Sequence, residues 1–382
     1  MKPFQPYIHV LRSPTWSLSG QDAISLEGLP TRIFGRIAHL AGFMVNIQYA
    51  PTFTTAPDVV GVHGLIKNMV FFDGVTERFN ASYYDLRQFE VLENGRLENP
   101  DPVTPASTNV VHVRRFLPTG PARFVGNPTD FVIPCAGLKS GELRLNFGAL
   151  TDISADTTVI GSVNIIVAAV LVPLDNEVRL PPAFERRTFN FGTTEAMIQG
   201  KALYSTVAIG KQANTAFAAG DLSQISWDSG LGQSPNVEVS TLTAVAQYYL
   251  ETTQLGQLAG EPRTATDVSL RHVNPGTPTA LFAAANTIQS VICSPSESRI
   301  TKLLVDATSA LRVKWTGTFT TPKMYVSRFL ENPATAYAAQ AARALGTLGL
   351  QGKAPRVKTL DKTDYNGPRQ LYMPWTIKTN TK

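Results

Sequence analysis

Two cysteines in 382 residues exclude a disulfide scaffold. Cys135 and Cys293 read as small buried apolar residues, and a bridge between them would need Cα atoms within about 7 Å. The five histidines (His9, His39, His63, His112, His272) are dispersed, with no H-x-H or H-E-x-x-H spacing, so zinc ligation has no support. There is no G-x-S-x-G elbow for a hydrolase serine. Two stretches approach a phosphate loop, Gly192 to Gly200-Lys201 and Gly346 to Gly352-Lys353. They place seven and five residues between the glycines instead of four, and alanine follows each lysine. A hydroxyl is needed there to hold magnesium. No cofactor and no metal are therefore expected. Charge is also scarce, at 16% of residues against a usual fraction of about 25%. Interface cores are depleted in charge in the same way. The most apolar run, Val163 to Val172, is ten residues, too short to cross a bilayer. Met1-Lys2-Pro3-Phe4-Gln5-Pro6 lacks the basic-then-apolar design of a secretory signal, so none is expected.

What charge there is lies unevenly. Residues 331–382 carry eight Lys/Arg against three Asp/Glu, while residues 1–330 carry 26 of each. The basic character belongs to the tail, and a basic tail on a neutral body points to an acidic partner reached by the tail alone.

With 26 prolines and 28 glycines, the chain reads as many short strands joined by turns, not as βαβ units. Residues 1–20 form an N-terminal arm without sustained period. Strands are expected at 23–27, within 33–49 (interrupted by Gly35 and Gly42), at 62–72, 110–116, 131–134, 142–147 and 162–172. Tyr84, Leu86, Phe89 and Leu92 shift to helical spacing, and Asn94-Gly95 stops them. A second set follows Pro181-Pro182, with strands near 187–191, 196–209, 237–247, 287–293, 300–306, 310–320 and 323–328, and a helix at Tyr248–Leu258. About eight strands per half with one helix in the middle connection fit a jelly roll. The expected class is all-β: two tandem eight-stranded jelly rolls at 21–180 and 181–330, with short helices in connections. A C-terminal helix and extended basic strap occupy 331–382. Asn332-Pro333 caps that helix, and Tyr337, Ala341, Leu345 and Leu348 share one face.

The halves echo one another. Val132-Ile133-Pro134-Cys135 matches Val291-Ile292-Cys293, with the cysteines 158 positions apart. Glu142 to Phe147 matches Ile300 to Val305, Ser82-Tyr83-Tyr84 matches Gln247-Tyr248-Tyr249, and Ser162 to Val167 matches Leu311 to Thr316. Self-similarity at one offset is the mark of duplication.

Candidate chemistry is thin. Glu90 and Glu93 share a helix face, as the paired carboxylates of a glycosidase would and as solvated helix acids do. Asp221, Asp228 and Glu238 flank Trp227, which would stack on a sugar or anchor an interface. A carbohydrate-binding or glycoside-hydrolysing β-sandwich, lectin- or spike-like, is therefore the alternative function. A lectin would carry paired aromatics and acids in the loops of both halves, and here the halves agree in strands and differ in loops. In the tail, Lys353, Arg356, Lys358, Lys362, Arg369, Lys378 and Lys382 interleave with Tyr365, Tyr372 and Trp375. With Tyr337, Leu345 and Leu348 these are candidate inter-subunit contacts. A strap on a neighbouring subunit and a contact with nucleic acid or lipid headgroups both fit the pattern.

Gly64-Leu65-Ile66-Lys67-Asn68-Met69-Val70-Phe71-Phe72-Asp73-Gly74, then Tyr84-Asp85-Leu86-Arg87-Gln88-Phe89, then Val163 to Val172 with Pro173-Leu174, resemble the strand, mid-domain helix and last strand of one family. It is the double jelly-roll major capsid proteins of tailless icosahedral viruses, many with an internal membrane, in the tectivirus and adenovirus-hexon lineage. The resemblance covers about residues 21–330. It implies a non-enzymatic shell protein of a virion, a bacteriophage capsid among them. It implies a homotrimer packed against neighbouring capsomers and other vertex or minor capsid proteins. The inner face would lie near membrane lipid or genome, and loops 95–109 and 211–236 would form outward towers.

Overall fold

The computed structural model describes residues 6–17, 19–51, 61–94, 111–120, 131–149, 152, 160–174, 177–179, 183–192, 194–214, 221–230, 237–238, 290–292, 305–318, 321–330, 346–348 and 356–358. The chain divides into two compact units, residues 1–84, 104–184 and 332–382 in one, residues 85–103 and 185–331 in the other.

The first set of strands is β1 (Tyr7–Arg12), β2 (Gln21–Ser25), β3 (Arg32–Ile33), β4 (Arg36–Pro51), β5 (Ile66–Phe72), β6 (Glu77–Ala81), β7 (Val111–Pro118), β8 (Ile133–Pro134), β9 (Glu142–Phe147) and β10 (Ile160–Leu174). Helix α1 (Tyr83–Asn94) stands between β6 and β7. One sheet runs β1-β10-β4, with β7 and β8 on consecutive stretches of β4 and β3 closing a hairpin onto its start. The other runs β2-β9-β5-β6. The chain passes between the two sheets repeatedly, from β1 to β2, back to β3 and β4, across to β5 and β6, back to β7 and β8, then across to β9 and back to β10, which is the winding of a jelly roll. The core lies between the sheets. Phe43, Val45 and Ile47 of β4 lie opposite Ala169, Val167 and Ile165 of β10, all fully buried. Phe71 of β5 meets Phe43 edge-on at 4.9 Å, and each buried side chain of this size stabilises the roll by about 1.5–3 kcal/mol. Gly42 is where β4 is crowded from its other face: a Cβ there would meet the carbonyl oxygen of Leu117 and the ring of Phe116 on β7.

The second set is β12 (Phe184–Asn190), β13 (Glu195–Gln199), β14 (Ala202–Lys211), β15 (Gln224–Asp228), β16 (Val237–Glu238), β17 (Ser290–Ile292), β18 (Val305–Ala307), β19 (Ala310–Thr316) and β20 (Pro322–Leu330). Here β12-β20-β14 carries β17 and β18 on consecutive stretches of β14, and β13-β19-β15-β16 forms the opposite sheet. The core of this roll is built on Ile198, Ile225, Val313, Trp315, Met324 and Val326. Between the two sets lies β11 (Glu177–Arg179), paired in parallel with β21 (Arg356–Lys358) of the tail.

The two sets correspond strand for strand. β1, β2, β4, β5, β6, β7, β8, β9 and β10 match β12 through β20 in order and in partners. The chain is a double jelly roll, but two of the sequence echoes aligned the wrong strands, and Gln247-Tyr248-Tyr249 lies outside the described residues. Val291-Ile292 lies on β17, the counterpart of β7, whereas Ile133-Pro134 lies on β8, the counterpart of β18. Leu311 to Thr316 lies on β19, which matches β9 and not β10. Short apolar strands resemble one another more than they resemble their own topological partners, so a match of residues slipped by one strand.

Three further expectations change. Tyr7–Arg12, inside the expected arm, is a strand of the first roll. The segment 196–209 is two strands, because Gly200, at φ 104°, turns the chain from one sheet to the other and donates its N–H to the Ser309 carbonyl at 2.8 Å. The expected tower 211–236 contains β15, whose polar Gln224, Ser226 and Asp228 mask a strand alternation. The helix at 84–93 is observed as α1, with Tyr83, Leu86 and Phe89 buried at helical spacing. Loop 95–109, the helix at 248–258, Cys293 and most of the C-terminal helix lie outside the described residues; of that helix only Gly346–Leu348 is described.

Candidate assembly surface

Four of the five large hydrophobic side chains that stand exposed among the described residues are Tyr7, Ile8, Val10 and Phe34. They occupy β1 and the hairpin between β3 and β4. Among the described strands β1 pairs only with β10, so it is an edge of its sheet. Ile8 and Val10 are 53% and 60% exposed. Their register opposite Val170 and Ala168 puts them on the face of the sheet that points away from the core. The same rows continue inward across the sheet: Val170 opposite Gly42 and Ala168 opposite Met44, then Gly42 opposite Pro118 and Met44 opposite Phe116. In the next row Ile166 lies opposite Asn46, and Asn46 opposite the exposed Arg114. The outer face of β1, β10, β4 and β7 is thus apolar over two rows, and beyond them it turns polar. An antiparallel sheet that meets water on one side alternates apolar with polar residues; the two apolar rows depart from that alternation and the rows beyond them follow it.

The matching face in the second roll is covered. Residues from Asp85 onward in α1 belong to the same compact unit as β20. Phe89 meets Tyr325 of β20 edge-on at 5.7 Å, and Tyr325 is 2% exposed. Lys323 donates to Asp85 at 3.0 Å and to Asn214 at 2.7 Å. Ser327 and Phe329, further along the same face, are fully buried. Beside them Arg328 ties three strands: it donates to Glu185 of β12 at 2.5 Å, to Tyr204 of β14 at 3.1 Å and to the Gln199 carbonyl at 2.8 Å. Burial pulls the guanidinium pKa down, and the charge of Glu185 with the Tyr204 contact outweighs it, so the pKa rises above its ordinary value.

Of the tail residues singled out from sequence, Leu348 is buried. Arg356 and Lys358 lie on β21, at register positions opposite Glu177 and Arg179. Tyr337, Leu345, Lys353, Tyr365, Arg369, Tyr372 and Trp375 lie outside the described residues. The acids near Trp227 serve the fold. Asp221 forms an ion pair with Lys211 at 2.5 Å and accepts from the Thr318 hydroxyl at 3.3 Å. Asp228 accepts the Gly230 N–H at 2.9 Å, and Trp227 packs against the core of the second roll. Glu90 and Glu93 sit on α1, and Glu238 ends β16. Sequence reasoning missed Ile8, Val10 and Phe34. The available signal was the unbroken apolar run of β10, which calls for cover on both faces of the strand.

No family model matches the sequence, and no curated protein matches it. Among solved structures the chain is similar to the STIV MCP, from Sulfolobus turreted icosahedral virus, at 12% identity and TM-score 0.54 over 88% of this chain and 99% of that one. It is also similar to the major capsid protein P2 from bacteriophage PM2 (12% identity, TM-score 0.43, 86% of this chain and 99% of that one). A third is the Faustovirus major capsid protein (7% identity, TM-score 0.37, 86% of this chain and 89% of that one). The double jelly roll traced strand by strand above is the fold this chain shares with the STIV MCP.

Proposed function

We propose that the chain is a structural major capsid protein, which trimerises into pseudo-hexagonal capsomers and tiles an icosahedral virion shell without catalysing a reaction. The observation that carries this reading is the presence of two complete jelly rolls with one strand order in a single chain. Three such chains supply six equivalent rolls, which approximates a hexagonal tile. The low charge, 16% of residues, fits a surface spent against neighbours. Neighbouring capsomers and minor or vertex proteins are the partners. Residues Lys353, Arg369, Tyr372 and Trp375 of the tail belong to a strap that reaches those capsomers, anionic lipid or genome. The carbohydrate-binding alternative loses its support where Asp221, Asp228 and Trp227 are engaged in ion-pairing, capping and packing.

The test is native mass by light scattering, followed by electron microscopy of the assembled protein. The expected species is a three-chain particle burying more than about 2,000 Å² between neighbours. A stable monomer at micromolar concentration overturns the reading.

A further inference from the structure

A buried lysine of the second roll is placed for chemistry that the capsid reading does not use. Lys323 is the second residue of β20 and is 7% exposed. Its Nζ donates to Asp85 Oδ1 at 3.0 Å and to Asn214 Oδ1 at 2.7 Å, and it stands 5.9 Å from the centre of the Tyr325 ring. Asp85, in the first turn of α1, is 3% exposed. Phe89, one turn further along α1, closes the site by packing edge-on against Tyr325. Asp85, Asn214 and Lys323 all belong to the second compact unit. Asn214 follows β14 at φ 56°, a left-handed conformation that asparagine takes readily. Its N–H donates to the Lys211 carbonyl at 3.0 Å, so a closed turn holds its amide over the amine. A nucleophile, an electrophilic carbonyl and a proton acceptor are thereby held in contact at a largely buried point.

We propose that Lys323 and Asn214 join in an intramolecular isopeptide bond, with Asp85 as the proton carrier. Asp85 takes a proton from the Nζ ammonium, across a distance within the reach of about 2.6–3.2 Å that such transfer requires. The amine that results has a free electron pair. It attacks Cγ of Asn214, which lies one carbonyl bond, about 1.2 Å, beyond the oxygen that Nζ touches. The Nζ–Cγ bond forms, and a second proton passes from Nζ to Nδ2. The Cγ–Nδ2 bond then breaks with its electron pair on nitrogen. Ammonia departs and takes up the proton held by Asp85, which returns to carboxylate. One ammonium side chain and one primary amide become one secondary amide and one ammonium ion, and the balance needs no further reactant. The bond joins residues 109 positions apart, and β15 to β19 lie between them. β14 and β20 already pair, with Gly210 opposite Lys323, so the cross-link leaves the sheet as it is. It acts on the unfolded chain, whose conformations it restricts.

The experiment reads the intact mass and the tryptic peptides of the full chain, of Lys323→Arg and of Asp85→Asn. The parent is expected to be lighter than its sequence by one ammonia and to yield a branched peptide that joins Asn214 to Lys323. This readout depends on no variant's folding. Lys323→Arg, which keeps the charge and removes the amine, is expected at its full sequence mass without a branch. Asp85→Asn is expected to form the branch at least about 100-fold more slowly. A parent at full sequence mass with no branched peptide would overturn the proposal. So would an ammonia loss that maps to a succinimide at another asparagine, or a water loss with Lys323 joined to Asp85. A branch formed as fast by Asp85→Asn would overturn the part given to the carboxylate. Neither mass nor peptides read self-assembly, so the bond and the capsid reading are tested apart.

Discussion

Phe34 occupies a backbone conformation that a bulky side chain seldom takes. With φ 51°, followed by Gly35 at φ 76°, it forms the two-residue loop that joins β3 to β4, and such loops require left-handed backbone at both positions. Asparagine or glycine serves there at little cost, whereas other L-residues lose roughly 1–2 kcal/mol. The ring regains nothing from burial, because it is 80% exposed. An expensive conformation that displays an aromatic to water points to a contact outside the chain. Phe34→Gly should therefore raise the unfolding temperature of the unassembled protein, by the equivalent of about 1 kcal/mol, while weakening assembly. Calorimetry at low concentration checks the first part, and a lowered unfolding temperature would show that the ring stabilises its own roll. Asp73 shows the opposite case of a residue whose role was legible. The sequence places a turn at Asp73-Gly74, and the structure has Asp73 accepting the N–H groups of Val75 and Thr76 at 2.8 and 2.7 Å. Its second oxygen holds Arg78 at 2.5 Å, with both side chains buried. Turn chemistry is local and can be read from neighbouring residues; the ion pair required knowing that β5 and β6 close on each other.

At the scale of elements, strands and the one described helix were legible because their periods are. Tyr84 to Glu93 changed from alternation to helical spacing, and α1 is there. The pairing of strands was not legible. β10 is Val-, Ile- and Ala-rich on both faces, so its inward Ile165 and Val167 cannot be told in sequence from its outward Ile166 and Val170. β15 was hidden because only Ile225 and Trp227 mark its apolar side, among Gln224, Ser226 and Asp228. The apolar rows on the outer face of β1, β10, β4 and β7 escaped for a related reason: they are made of alternate residues on four strands far apart in the chain. Within the second roll the Glu185, Arg328 and Tyr204 cluster also joins distant strands, and it carries a pH consequence. Burial, the largest influence, raises the pKa of Tyr204 above its ordinary value, and the Arg328 charge only partly offsets it. An unfolded tyrosine ionises near pH 10, roughly. Above that pH the unfolded chain releases a proton that the folded chain still holds, so stability is intact below about pH 10 and declines as pH rises through the folded value. Denaturant titrations from pH 8 to 11 should show this decline, and Tyr204→Phe should flatten it. An equal slope in the variant would assign the decline to other groups.

For the whole molecule, the distribution of charge separates folding from assembly. Residues 1–330 carry 26 acidic and 26 basic side chains, whereas 353–382 carry seven basic and two acidic. Among the described residues every strand of both rolls lies before residue 331, so these sheets are built without the tail. The tail nonetheless has one described foothold, since β21 adds in parallel to β11 in the stretch that separates β10 from β12. A parallel pair of three residues on each side is marginal alone, and it fixes where the rest of the tail departs. Beyond Lys358 the chain has 24 residues, which if extended reach up to roughly 80 Å. Their Arg369, Lys378 and Lys382, with Tyr365, Tyr372 and Trp375, combine positive charge with aromatic anchors. Removing residues 359–382 keeps β21 and both rolls. On the proposed capsid reading, the truncated protein should keep the parent's unfolding temperature and the proposed trimer, and fail to close into shells. If the tail acts by charge, shell assembly of the parent should also weaken between about 0.05 and 0.5 M salt, as the screening length contracts. Shells of normal size and salt tolerance from the truncated protein would remove the strap from assembly. Shell loss without salt sensitivity would assign the contact to Tyr365, Tyr372 and Trp375 rather than to the lysines and arginines.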